Sequence, residues 1–206
     1  MHPQDNTIPS REMAEALITE SAAMNPGPWE QHSHRVAEAA QRIAAYHPNL
    51  DQERAYVLGL LHDIGRRFGV RGMQHTIDGY RFLSSLGYAH AARICLTHSY
   101  PDQQLVHGAD PWDGSAEDLH VIEHFLFEID YDDYDRLIQL CDSICLPHGF
   151  CLMEKRLVEV VFRYGVNEYT LPRWRGYMRV KEDIEAKIGR SIYTLLPGIV
   201  ETTFNY

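Results

Sequence analysis

Apolar residues recur along most of the chain at the three- and four-residue spacing of helices, while strand-like alternation is scarce. Ser10 reads as the N-cap of a first helix running to about Met24, where Asn25-Pro-Gly-Pro28 breaks it. A second helix is predicted from about Trp29 to Tyr46, with His32, Val36, Ala40 and Ile43 on one face. His47-Pro48-Asn49 ends it, and Asp51 caps a third helix that carries Ala55, Leu58 and Leu61 up to His62. Gly65, Gly69 and Gly72 loosen the chain after that. Two more helices are predicted near 75–86 and 88–99. Residues 100–118, with Pro101, Asp102, Gly108, Asp110, Pro111, Asp113 and Gly114, read as a loop or lid. The helical pattern returns over Asp135–Ile144, Leu152–Tyr164 and 172–189. The expectation is an all-α bundle of about seven to nine helices, forming one domain over residues 1–206.

Composition narrows the function classes. At 45% hydrophobic and 23% charged residues, the chain has the balance of a globular protein and not that of a disordered or collagen-like one. Nineteen basic against 29 acidic side chains leave a net charge of −10, so no general binding to nucleic acid or anionic membrane is expected. The longest uncharged apolar run, AYVLGLL at 55–61, is too short to cross a bilayer. The N-terminal residues lack an apolar stretch of signal-peptide length, and a cytoplasmic location is expected. Cys95, Cys141, Cys145 and Cys151 read as reduced thiols.

Histidine is the informative residue type, at 12 of 206. In LLHDIGRR (60–67), an imidazole and a carboxylate follow two core leucines directly. His62 and Asp63 either cap the helix and pair with each other, or share a divalent cation that accepts both nitrogen and oxygen donors. Four other segments carry similar groups. His32 stands one turn before Val36 in HSHRVAEAA, and Asp142 lies inside LIQLCDSICL. His75 (HTIDGY) and His98 (CLTHSYP) lie near helix ends.

Taken in order, these segments resemble the HD-domain metal-dependent phosphohydrolases, with the HD core at about 29–150 and a helical extension at about 151–206. The resemblance implies that His32, His62, Asp63 and Asp142 hold a first metal; His34 is the alternative to His32. It also matches His75 and His98 to the extra histidines of a binuclear subgroup in which Asp63 bridges two metals. The implied cofactor is one or two divalent transition metals (iron, manganese, cobalt, nickel or zinc, with iron favoured). The implied reaction is attack by a metal-bound hydroxide on a small phosphate ester or anhydride, a nucleotide or dinucleoside polyphosphate. Asp63 and Arg66 carry the catalytic roles in that reading. The same scaffold also serves diiron oxygenases and non-catalytic nucleotide-binding modules.

Arg66 is expected either to contact phosphate or to complement a helix dipole, and Arg67 and Arg71 to do the latter. Tyr100 reads as a substrate wall or a helix stop, and Lys155 and Arg156 as cleft-facing or solvated. His120-Val-Ile-Glu-His124 fits a zinc-peptidase template but lacks a further acidic ligand segment. Cys141, Cys145, His148 and Cys151 form a weak zinc pattern, and cysteines on an apolar helix are more often core. His2, His47, His90 and His107 read as surface or loop residues. The aromatic C-terminal part, with Trp174 and Tyr177, is expected to pack on the bundle or against a second copy in a homodimer.

Overall fold

The computed structural model describes residues 7–104 and 112–204. The chain begins with α1 (Arg11–Met24), α2 (Trp29–Ala44) and α3 (Gln52–Leu61), followed by a 3-10 turn at Ile64–Phe68. Next come α4 (Gln74–Ser85), α5 (Ala89–Thr97), α6 (Ala116–Glu128) and α7 (Asp133–Asp142). A two-stranded antiparallel hairpin, β1 (Cys145–Leu146) and β2 (Gly149–Phe150), pairs Cys145 with Phe150. The chain closes with α8 (Met153–Tyr164), α9 (Thr170–Ile188), a second 3-10 turn (Ile192–Leu195) and α10 (Ile199–Phe204). The all-α expectation holds, with ten α-helices among the described residues where about seven to nine were predicted. No described helix is long and apolar enough to cross a membrane.

The predicted caps form. Ser10 Oγ accepts from the Met13 N–H at 3.2 Å, and Asp51 Oδ1 from the Arg54 N–H at 2.7 Å. The part of the 100–118 segment that is described does not stay irregular, because Ser115 caps α6 from Ala116 onward. The prediction missed this helix because its apolar residues are split between two faces. Ile122 and Leu126 are buried, whereas Val121 and Phe127 face solvent, which blurs the helical period. Gly108, Asp110 and Pro111 of that predicted loop, with His2 and His107, lie outside the described residues.

One apolar cluster runs from Ala14 on α1 to Leu196 near the C-terminus. At its centre is α3, whose residues 55–61 are all buried. Within this core α2 and α3 approach each other backbone to backbone. A Cβ on Gly59 would stand 2.9 Å from Ala37 Cα, so only a glycine allows this spacing. The two helices run antiparallel from this crossing. His32, five residues before Ala37, and His62, three after Gly59, therefore come to the same end of the bundle.

The α4–α5 hairpin repeats that logic. Gly87, at φ +84°, turns the chain between the two helices. His75 in the first turn of α4 and His98 just past α5 thus share one end. The third component, α7, packs on α2, α5 and α9 and ends on Asp142.

Candidate metal centre

Helix ends bring His32, His62, Asp63, His75, His98 and Asp142 to one point. Five of the six are buried, and Asp142 keeps 21% of its side chain exposed. His32 Nε2 lies 2.9 Å from Asp142 Oδ1, and His62 Nε2 is 3.9 Å from the same oxygen. Asp63 stands between two groups. Its Oδ2 is 3.9 Å from His62 Nε2; its Oδ1 is 3.0 Å from His75 Nε2 and 3.8 Å from His98 Nε2. Ligand atoms of His32, His62 and Asp63 fall within 4.8 Å of one another, as do those of Asp63, His75 and His98. Asp63 is common to both sets.

The donor chemistry of this cluster fits a cation and little else. His62 Nδ1 donates to Gly59 O at 2.7 Å, His98 Nδ1 to Ile94 O at 3.2 Å, and His75 Nδ1 to Gly72 O. With the proton held on Nδ1, each Nε2 presents a lone pair to the centre. The Nε2 atoms of His75 and His98 face each other at 3.5 Å. Protonation does not relieve this crowding at neutral pH. Burial lowers the His62 pKa, and burial together with the neighbouring His62 pushes His98 down to about 3. His62 Nε2 and Asp63 Oδ1 have no hydrogen-bond partner. Each buried orphan of this kind costs about 1–3 kcal/mol, and a divalent cation removes both penalties at once.

Charge around the cluster is arranged to keep the carboxylates ionised. Burial alone would raise the Asp63 pKa, but Arg66, His75 and His62 hold it well below the usual carboxylate range. Asp142 is held below that range too, its burial outweighed by the hydrogen bond and charge of His32. Arg66 Nε donates to Asp63 Oδ2 at 2.6 Å, which leaves Oδ1 turned toward His75 and His98. Asp135, fully buried, accepts from Arg93 and from Thr97 Oγ1 at 2.7 Å, and Gln139 Nε2 donates to Thr97 O at 2.9 Å. These bonds tie the end of α5 that carries His98 to α7, which carries Asp142. Cys95 stays out of the donor set. Its thiol, raised by burial, points at Leu61 O at 3.5 Å.

A cavity of about 460 Å³ opens over the cluster. On one side it meets Asp63, Arg66, His75, His98 and Asp142. On the other it meets Arg156 and Arg163 of α8, and Arg173 and Tyr177 of α9. Arg163 and Arg173 were not singled out from sequence, and Tyr177 was expected only as a packing aromatic. The available signal was Arg173 and Tyr177 at i and i+4, one face of a helix.

Other expectations need correction. Tyr100 is no substrate wall; it is 1% exposed, in a separate apolar cluster with Met73, Ile77 and Leu96, and outside the cavity lining. Arg67 is no exposed dipole partner. It is buried, donating to Glu20 at 2.9 Å and Ser21 at 3.2 Å and stacking over Phe82. Arg71 pairs with Asp78 at 3.3 Å. Arg156 faces the cavity, while Lys155 pairs with Glu159 at 3.8 Å. His47 and His90 are not surface residues: His47 is buried 3.8 Å from Asp133, and His90 accepts from Arg54 at 3.1 Å.

The competing motifs do not assemble among the described residues. His120, Glu123 and His124 are exposed on α6, with 3.8 Å between His120 and Glu123. Cys141, Cys145 and Cys151 are free and buried, their thiols raised by apolar burial, and His148 is exposed. His34 points away from the cluster, 3.9 Å from Glu15 and 41% exposed.

Comparison with known proteins agrees with this geometry. No curated protein and no solved structure matches the chain. The HD domain, as a family, matches residues 29–145, which is 117 of the 206. That span contains every member of the His/Asp cluster and stops before α8. With more than half the chain under the match and its donors gathered at one point, the protein belongs to the HD-domain family, whose members are mostly metal-dependent hydrolases.

Proposed function

We propose that the protein is a metal-dependent phosphohydrolase acting on a small phosphate ester or anhydride, a nucleotide or dinucleoside polyphosphate. The observation that carries this reading is the juxtaposition, in one cavity, of a buried His/Asp donor cluster with orphaned donor atoms and a wall of arginines. His32, His62, Asp63 and Asp142 would hold one divalent ion, and Asp63, His75 and His98 a second. A bound transition metal of this kind supplies Lewis acidity and draws the pKa of its water toward neutrality. Nitrogen and oxygen donors without thiolate suit iron, manganese, cobalt, nickel or zinc, and the family resemblance favours iron.

The chain's own residues do the remaining work. Asp63 stays ionised because Arg66 sits on its outer oxygen, so its inner oxygen remains a donor. Arg66 also lines the cavity; Nη1 donates to Arg71 O at 3.3 Å, and the guanidinium N–H groups left over would meet phosphate oxygens. The backbone carbonyls of Gly59, Gly72 and Ile94 hold three imidazoles in the tautomer that offers Nε2. Burial of the cluster keeps bulk water from competing for these groups.

The test is elemental analysis of the purified protein, followed by a phosphate-release screen over nucleotides and dinucleoside polyphosphates. Chelation and metal return form the control. The expected result is release that disappears on chelation and recovers with metal. A metal-loaded protein that releases phosphate from none of these substrates contradicts the reading, and oxygen uptake by that protein would favour a diiron oxygenase instead.

A further inference from the structure

We infer that Asp113, on the approach to α6, is a positioning residue for the second metal. It fixes His75 through Gly72, and without it the Asp63/His75/His98 group gives up its ion while the His32/His62/Asp142 side of the cluster keeps one. The inference rests on the reading in which Asp63, His75 and His98 hold a second divalent ion.

The three imidazoles held through Nδ1 are not held equally. His62 bonds to Gly59 O inside α3, and His98 to Ile94 O inside α5, so both carbonyls are fixed by the helices that contain them. His75 bonds to Gly72 O, which lies ahead of α4 in the connection after the 3-10 turn. That carbonyl needs an anchor from elsewhere. Met73, at the N-cap of α4, makes no side-chain cap hydrogen bond, so the first N–H groups of the helix lack a local acceptor. Asp113 supplies the acceptors in its place. Its Oδ2 accepts from the Gly72 N–H at 2.7 Å and its Oδ1 from the Gln74 N–H at 2.8 Å. A carboxylate at this end also complements the α4 dipole. Gly72 is therefore gripped by Asp113 through its N–H and grips His75 through its C=O. Arg66 and Asp78 hold the neighbouring Arg71, not Gly72.

Asp113 is itself held in place. The Trp112 ring packs on the apolar cluster of Met73, Ile77, Ile122 and Leu126, and its Nε1 donates to Ser115 O at 2.9 Å. A Cβ on Gly114 would run into that ring, so glycine is what lets Trp112 fold back beside Asp113. Asp118, in the first turn of α6, pairs with Arg81 of α4. The carboxylate thus rides on a segment docked against α4 on either side of it. Its own side chain is exposed, so replacing it opens no cavity.

Calorimetric titration of the metal-free protein with cobalt(II) tests this without turnover. The wild type is expected to take up two equivalents. In Asp113→Ala the second should bind about tenfold or more weakly, the low end for a partner lost behind a ligating histidine, with the first changed by less than about twofold. Proton–nitrogen NMR of the metal-free protein reads the ring directly. The His75 Nδ1 proton, assigned by its loss in His75→Gln, should be seen in the wild type and lost to exchange with water in Asp113→Ala, while those of His62 and His98 persist in both. Asp113→Asn, which keeps one acceptor oxygen, should fall between the two and decides the matter if Asp113→Ala fails to fold. Arg81→Gln is the packing control: it removes the Arg81–Asp118 pair from the same contact without touching Gly72, and should keep both equivalents. An Asp113→Ala protein with both equivalents bound as in wild type and an unchanged His75 proton overturns the inference. So does an Arg81→Gln protein that loses the second ion to the same extent, or a wild type that takes up a single ion. A protein whose second ion depends on Asp113 but which releases no phosphate from nucleotides keeps the inference and loses the hydrolase reading. One that hydrolyses nucleotides equally well with and without Asp113, at wild-type metal content, does the reverse.

Discussion

Gly65 offers a test that separates the packing around the cluster from the cluster itself. It lies in the 3-10 turn two residues after Asp63 and presses against α4. A Cβ added there would meet His75 O at 2.0 Å and Gly79 N at 2.5 Å, whereas ordinary contact begins at 3.4 Å. Gly65→Ala therefore forces the turn and α4 apart by more than an ångström. Overpacking of this kind costs about 1–3 kcal/mol, and backbone on the receiving side places the cost at about 3. For a chain of this length that lowers Tm by about 6–12 °C. The same displacement opens the 3.0 Å contact between His75 Nε2 and Asp63 Oδ1, which belongs to the Asp63/His75/His98 group. Differential scanning calorimetry and elemental analysis of the same preparation read both effects. The expected outcome is a large fall in Tm with loss of metal from that group, while His32, His62 and Asp142 retain theirs. Gly69→Ala is the control. Nothing lies within 4 Å of its Cβ, but φ is +129°, so it should lose about 1–3 kcal/mol through backbone strain with metal content intact. A Gly65→Ala protein that melts within about 2 °C of wild type and keeps its metal refutes the reasoning.

Three further predictions follow from the same structure. Asp63→Asn removes the charge common to both donor groups and leaves Arg66 without its carboxylate, so bound metal should fall at least about tenfold by elemental analysis; wild-type metal content would contradict the shared role. His120→Ala and His124→Ala change exposed positions outside the cluster, so Tm and metal content should match wild type, and a loss of metal would revive the peptidase-like motif. The Asp132 pKa is lowered to about 2: burial would raise it, but hydrogen bonds from His90 and around the α7 cap outweigh that. Because the folded value lies below the ordinary 3.8, the stabilisation is full above about pH 4 and is lost as pH falls through about 2. The side chain is 46% exposed, and solvent screening reduces the effect to about 1 kcal/mol. Wild type should exceed Asp132→Asn by that amount at pH 6 and by almost nothing near pH 2, and a constant difference across the range would sink this assignment.

The helices and the cluster were legible in the sequence for one reason: each left a local mark. Ser10 and Asp51 are caps followed by periodic apolar residues, and both cap as expected. His32, His62, Asp63 and Asp142 stand out as polar groups among core residues, and the fold brings them together. Features that depend on long-range packing left no such mark. Arg67 looks like any arginine at a helix end until α1 and Phe82 close over it. His47 reads as a turn residue until Asp133 of α7 arrives. Tyr100 follows His98 directly, yet its ring turns into a separate apolar cluster instead of the cavity. Arg156 was read from the sequence as cleft-facing or solvated, whereas Arg163 and Arg173 were hidden because only the packing of α8 and α9 around the cavity gives them a common target.

Anomalous diffraction from crystals of the metal-loaded protein, recorded on both sides of the metal's absorption edge, is the most direct measurement. The account predicts a peak enclosed by His32, His62, Asp63 and Asp142, and with full loading a second enclosed by Asp63, His75 and His98. Density for a metal elsewhere, with none among these side chains, would contradict it.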